Sequence, residues 1–344
     1  MSSEARWRLT GITDRIRSGL RFLGRPWGAE QQGIAARVGL LEYRTGDLPT
    51  AFRGDYWEHA ANVTMQQYWT QHNVTRHTRF TSAEESLAHF RHRNQLYPGY
   101  IEMMPVDDCH GKVVVDYGCG PGNDLVGFAL HSKPSRLVGV DISAESLAQA
   151  KSRLALHEAT AELVDVPYGT YELPLDSDSV DRVHCSGVLM LIEEPGRLLA
   201  EFARVLRLDG ELRLMVYHYD SVWLHLYVAH VMQLEYGIYA GIDVREAFSR
   251  TTDGEDCPLV HVWKTTEVEE MASAAGFRTE FLGAAPSLWE LHVLPRRFRA
   301  AMDERLDAEH RDFLMSLELD SRGRPFREGH LVGIDGCYRL TRRV

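Results

Sequence analysis

Lysine is nearly missing from this 344-residue chain, standing at positions 112, 133, 151 and 264, and arginine supplies the remaining basic side chains. With 38 basic against 49 acidic residues the net charge is −11. A net charge of that sign argues against a nucleic-acid partner, since such binders usually show a basic stripe. No apolar run approaches the length of a membrane span. Residues 1–25 are rich in arginine but lack the apolar core of a secretory signal, so the two Asn-Val-Thr triplets at Asn62 and Asn73 carry little weight as glycosylation sites. The five cysteines (Cys109, Cys119, Cys185, Cys257, Cys337) include no C-x-x-C pair, the pattern expected of a reduced, cytoplasmic protein. A metal is not expected either. His89 and His92 lie three apart on one predicted helix without a third ligand, and read as solvent-facing.

What is present is organised around Lys112 to Asp124, Lys-Val-Val-Val-Asp-Tyr-Gly-Cys-Gly-Pro-Gly-Asn-Asp. Strand-forming residues run into Asp116, Gly118, Gly120 and Gly122 follow at alternate positions, and a helical stretch begins. A strand, tight turn and helix of this kind builds a cofactor shelf at the carboxyl edge of a parallel sheet. The dinucleotide fingerprint would need a glycine at position 123, which is Asn123. Asp141 stands at the end of the next strand, where an acid can hold both hydroxyls of a ribose. Ser143 is the better cap for the helix that follows.

Beyond the loop the elements alternate. Asn123 to His131 predicts a helix, Arg136 to Val140 a strand, Ser143 to His157 a helix and Ala161 to Val164 a strand. Val180 to Ser186 reads as a fourth strand and Pro195 to Leu206 as an amphipathic helix. A turn at Arg207 to Gly210 then leads into a fifth strand, Glu211 to Tyr217. Thr265 to Ala275 predicts a helix, Arg278 to Leu282 a sixth strand and Leu331 to Leu340 a closing one. Residues 1–110 read as mostly helical, with a basic helix over Arg6 to Leu23 and a second helix opening at Thr81-Ser82-Ala83-Glu84 and ending at Pro98-Gly99. The core domain is placed at 111–344, interrupted by helical insertions at 220–260 and 286–330.

The G-x-G-x-G loop with Asp116 two residues ahead, Asp141, and the run Asp181 to Leu189 after the fourth strand together resemble class I S-adenosylmethionine (SAM)-dependent methyltransferases, of the methyltransferase type 11 kind. The resemblance spans roughly residues 110–220, with weaker matches at 265–285 and 330–342. It implies an α/β fold, a Rossmann-like seven-stranded sheet with helices on both faces. It also implies SAM as cofactor and S-adenosylhomocysteine as product. On the family pattern Asp116, Gly118, Gly120, Gly122 and Asn123 hold the methionine part, Asp141 and Ile142 the ribose, and Asp165 the adenine amino group. Ser186 borders the site after the fourth strand. Arg93, Tyr97 and Tyr100 stand where relatives close a lid, Arg93 and Tyr100 over the cofactor and Tyr97 towards the acceptor. Many relatives carry paired histidines where this chain has Met190 and Leu191.

The insertions supply the rest of the expected site. Residues 220–260 hold Asp220, Glu235, Asp243, Glu246, Asp253, Glu255 and Asp256 against Arg245 and Arg250, which is seven acids less two bases, or −5. An acidic lid attracts a cationic acceptor. Tyr219, Trp223, Glu235, Asp253, Glu255 and Asp256 are accordingly candidate substrate contacts. His218 is a candidate general base with Asp220 as its orienting partner, provided the strand turns His218 and not Tyr217 to the cofactor. The leading expectation is methyl transfer to an amine of a small polar natural product. More finely, the chain resembles aminoglycoside N-methyltransferases of the gentamicin-pathway kind in its acidic insertion and arginine-rich composition. An O- or C-methyltransferase and a SAM-binding protein without turnover are the alternatives. No membrane or nucleic-acid partner is expected, and the oligomeric state is open.

Overall fold

The computed structural model describes residues 64–343 apart from positions 74, 76, 255 and 256. The expected basic helix over Arg6 to Leu23 and the candidate contacts Glu255 and Asp256 therefore lie outside the described residues.

Strands β1 (Val113–Tyr117), β2 (Arg136–Asp141), β3 (Glu162–Asp165), β4 (Val180–Ser186), β5 (Leu206–Tyr217), β6 (Phe277–Ala285) and a late strand, Asp335–Arg342, form one seven-stranded sheet. Its order is β3-β2-β1-β4-β5-late strand-β6, and the late strand runs antiparallel to both neighbours. The strand order reverses between β1 and β4, so the crevice for a ligand opens at their carboxyl ends. The expected Rossmann-like α/β architecture is present.

Both faces are covered, which explains the apolar run Val113-Val114-Val115 of β1 and why even Arg182 and His184 of β4 are buried. On one face helix α2 (Ala83–Leu96) lays Phe90 beside α4 (Asn123–His131) and α5 (Ala144–Ala155), which bury Leu125, Val126, Phe128, Leu147 and Leu154. On the other, α6 (Pro195–Val205) buries Leu198, Leu199, Phe202 and Val205, each contributing on the order of 2 kcal/mol, beside Val268 and Ala272 of α9 (Thr265–Ala274). Two further short helices, α1 (Met65–Gln71) and α3 (Tyr100–Met103), complete the segment before β1. Ser82 caps α2 by accepting from the Glu85 amide at 3.2 Å, as its sequence suggests.

Two details differ from expectation. β5 already begins at Leu206, but its pairing with β4 jumps from Val180–Leu206 to Arg182–Glu211, so the expected turn at Arg207 to Gly210 survives as an irregularity within the strand. The usual proline and first glycine of that turn are Leu208 and Asp209 here, and Gly210 instead lets β4 pass close. A β-carbon at 210 would lie 3.0 Å from the Val180 carbonyl. The second insertion is also not purely helical. After α10 (Leu288–Val293), α11 (Arg297–Ala301) and α12 (Ala308–Ser316) comes a small antiparallel sheet of β7 (Glu318–Leu319), β8 (Pro325–Arg327) and β9 (His330–Leu331), so the late strand is β10 and starts at Asp335. The first insertion is helical as expected, with a 13-residue π-helix α7 (Trp223–Glu235) and α8 (Val244–Thr252).

Gly118 ties the glycine loop to the segment after β4. Its φ is +74°, and a β-carbon there would sit 2.1 Å from Val188 Cγ2. Gly118→Ala should therefore cost about 2 kcal/mol or more in urea unfolding, from left-handed strain and the clash together.

Candidate active site

A cleft of about 260 Å³ lies over the carboxyl ends of β1, β2 and β4. Asp116, Gly118, Gly120 and Asn123 line it from the β1 side, Asp141 and Ile142 from the β2 side, and Ser186 from β4. The three loop glycines all take positive φ. Asp141 fixes the loop: Oδ2 accepts from the Gly120 amide at 2.8 Å and Oδ1 from the Ser143 amide at 2.8 Å. Each oxygen keeps a lone pair for a ligand. Asp116 is buried, and its Oδ2 has no hydrogen-bond partner. Burial, and then the neighbouring charge of Asp124, raise its pKa well above the usual carboxylate range. An unpartnered buried carboxylate oxygen facing a cleft calls for a cation.

The lid side of the cleft is built on α1 and α2. Arg93 donates to Asp124 Oδ1 at 3.3 Å, to Tyr100 at 3.3 Å and to Ser186 at 3.4 Å. The Tyr100 hydroxyl and Ser186 Oγ are 2.6 Å apart. Tyr100 is buried and does not line the cleft, so it works behind Arg93 as a support. Burial opposes the charge of Asp124, but Arg93 and buried His184 outweigh it and hold this carboxyl below the usual range. His89 is a correction. It is half-buried on the cleft wall with Nδ1 3.3 Å from Asn123 Oδ1, because α2 packs directly on the start of α4. Gln66 of α1 donates to the Ile142 carbonyl at 3.0 Å, which ties the first helix to the loop after β2.

At the far end, Val166 to Tyr171 make the wall, and the Tyr168 hydroxyl donates to Glu193 at 2.8 Å. Asp165 is exposed at the tip of β3 and does not line the cleft, since the chain turns inward only at Val166.

Residues 115–214 match the family model described as a methyltransferase domain. The chain carries a class I SAM-dependent methyltransferase domain. Its cofactor is SAM. Over 124 residues it is 38% identical to an uncharacterised 37.1 kDa protein of a Streptomyces fradiae transposon, covering 36% of this chain and 35% of that one. Over 149 residues it is 32% identical to the chloroplastic 2-methyl-6-phytyl-1,4-hydroquinone methyltransferase of Spinacia oleracea, covering 41% and 42%. The chain thus spans less than half the length of these relatives. Among solved structures, a Thermotoga maritima SAM-dependent methyltransferase titled a possible histamine N-methyltransferase aligns with TM-score 0.46 at 16% identity, over 81% of this chain and 100% of its own.

The acceptor end of the methyltransferase domain departs most from expectation. The end of β5 turns Tyr217 towards the lid, where its hydroxyl donates to Asp253 Oδ1 at 2.9 Å. His218 points the other way. It is buried 3.2 Å from Thr265 Oγ1 and 5.2 Å from the Phe281 ring, away from the cleft, and burial pushes it down to about 4. Asp220 lies 3.6 Å from His225 and does not line the cleft. The β-strand alternation, shifted by one from the catalytic expectation, is the reason.

The acidic insertion is likewise mostly spent on itself. Glu235 pairs with Arg296 and, at 3.7 Å, Arg299, while Glu246 pairs with Arg250 and Asp243 caps α8. Tyr219 donates to Glu309 at 3.3 Å beneath Lys264, and Trp223 is buried edge-on to Tyr227. Neither lines the cleft. Among its described acids, Asp253 is the one left with a buried, unpartnered oxygen, although neither it nor Tyr217 lines the cleft itself. Tyr97 packs in the same apolar roof as Met65, Trp69 and Tyr217. Sequence reasoning missed Asp335, buried beside Tyr217 at the start of β10, although an acid inside the apolar run Ile334 to Tyr338 is itself a signal. Among the described residues no metal-binding group of histidine, cysteine or acids occurs.

Asp141→Ala should weaken SAM binding by on the order of 2 kcal/mol in calorimetric titration, because ribose acceptors and the loop tether go together. His218→Gln should leave SAM affinity and turnover nearly unchanged. Because its folded pKa is about 4 against an ordinary 6.5, the unfolded chain takes up the proton first, and stability contributed here rises with pH across that interval. The variant should flatten that rise in unfolding curves measured from pH 4 to 7.

Proposed function

We propose that this chain transfers the methyl group of SAM to an amine of a small, cationic polar molecule. The observation that carries this reading is Asp253, whose Oδ1 accepts from Tyr217 and whose Oδ2 is buried without a partner, behind the apolar roof that Tyr217 shares with the cleft residues Met65 and Trp69. A carboxylate in that state attracts and orients an ammonium group. When bound, SAM supplies an electrophilic methyl carbon on a sulfonium, which an amine attacks with its own lone pair while the carbon–sulfur bond breaks towards S-adenosylhomocysteine.

The residues of the chain bind and position. Asp116 Oδ2 fits the cofactor's ammonium, the free lone pairs of Asp141 fit the ribose hydroxyls, and Arg93 fits the methionine carboxylate. Ile142 and Val166 to Tyr168 bracket the base. Holding amine and methyl in line supplies much of the rate, and a free amine needs no general base. His218 need not face the site for this chemistry. Among cationic acceptors, an aminoglycoside-type amino sugar in antibiotic biosynthesis is the finer reading, with a cytoplasmic location.

A second reading, methylation of a hydroxyl or carbon, is favoured by the Spinacia oleracea relative, whose name gives a hydroquinone acceptor. A mass-spectrometric screen with SAM over polyamines, amino sugars and neutral phenols separates the two. A gain of one methyl on amines, with Asp253→Asn raising KM about ten-fold and kcat changing less, is the expected result. Methylated phenols with untouched amines would establish the second reading instead.

A further inference from the structure

Asp253 is not alone behind the roof of the cleft. Asp335 opens β10 opposite Tyr217 of β5 and Ala285 of β6, so its side chain shares the face of Tyr217. It is 3% exposed, and its carboxylate has no hydrogen bond or ion pair among the described residues. Arg93, Glu290 and Asp253 are the charged groups within its electrostatic reach. Arg93 is already engaged by Asp124, Tyr100 and Ser186. Glu290 is saturated: it accepts from the Trp223, Ser287 and Ile334 amides and from the Ser287 hydroxyl, and thereby staples α7, α10 and the approach to β10 together. Asp335 has no comparable structural employment. Burial raises its pKa to about 8, which is the mark of a carboxyl that lacks a counter-charge.

Two under-served carboxyls thus flank one phenol, Asp253 bonded to the Tyr217 hydroxyl and Asp335 beside it across the sheet. The cover above them is aromatic and apolar, with Met65, Trp69, Tyr97, Leu259 and Val260. Tyr68 of α1 donates to the Asp253 backbone carbonyl, so that cover is fastened to the same segment. An ammonium group brought beside either carboxyl would favour its ionised form, so the pair beneath an apolar cover matches a compact carbon skeleton bearing two ammonium groups.

We propose that Asp335 is a specificity-determining residue, forming with Asp253 a two-point receptor that selects acceptors carrying at least two amino groups. This rests on the amine-acceptor reading above and narrows it to diamines and polyamino sugars. One amine is held as ammonium at a carboxylate while another, unprotonated, meets the methyl group.

The test is calorimetric titration of the full chain, loaded with S-adenosylhomocysteine, by 1,4-diaminobutane, by neamine and by the monoamine cyclohexylamine. Wild type, Asp335→Asn, Asp335→Ser and Asp253→Asn are compared, and S-adenosylhomocysteine affinity reports that each variant is folded. The expected result is that both Asp335 variants bind neamine and the diamine at least roughly ten-fold more weakly, with the monoamine and S-adenosylhomocysteine changed less than about two-fold. Equal loss for monoamine and diamines, or none for either, in folded Asp335 variants overturns the two-point receptor while leaving the amine reading with Asp253. A wild type that binds S-adenosylhomocysteine but none of the three amines overturns the amine reading, and the receptor falls with it.

Discussion

The carboxylate of Asp141 is the constraint from which the site follows. Its two oxygens take the Gly120 and Ser143 amides, so one side chain locks the loop after β1 to the start of α5 after β2. Left-handed backbone at three glycines has no fixed shape of its own, and a buried, charge-assisted pair of bonds supplies one. Because β1 and β2 are neighbours in parallel register, the crevice and its tether arise from the same pairing. Loosening Asp141 would therefore cost shape as well as contact.

Buried charge is handled in two ways. In the body of the sheet it is neutralised: Arg182, 1% exposed, is shared by Asp108 and Glu211, and Glu211 also takes Arg213 and Arg339. Such a cluster ties β4, β5 and β10 by charge, and removing one member would leave an uncompensated ion in the core. Around the cleft the compensation is deliberately incomplete. Asp124 is paired with Arg93, whereas Asp116 at the cleft and Asp253 and Asp335 behind its roof keep unfilled capacity.

That division also explains why net charge is a poor guide to the acceptor. The acidic insertion stands at −5, yet its described acids are largely absorbed by helix caps and by arginines from other elements. One buried carboxylate oriented by a tyrosine outweighs several solvated ones, since screening removes most of the field of an exposed charge.

The succession of strands and helices along the chain, the glycine loop and the helix caps were legible in the chain, because each rests on local rules. These are β-branched runs, glycine spacing, and a serine ahead of acids. The register at the end of β5 was not. Tyr217 and His218 are both plausible site residues in sequence, and a one-residue shift exchanges them. Pairing with β10, which places Asp335 opposite Tyr217, decided it. Likewise Asp335, over a hundred residues from the end of β5, came to lie beside Tyr217 through non-local pairing alone. The sequence determined which cofactor shelf is built. Only the tertiary structure decided which side chains face it, because facing depends on partners that the local pattern does not encode.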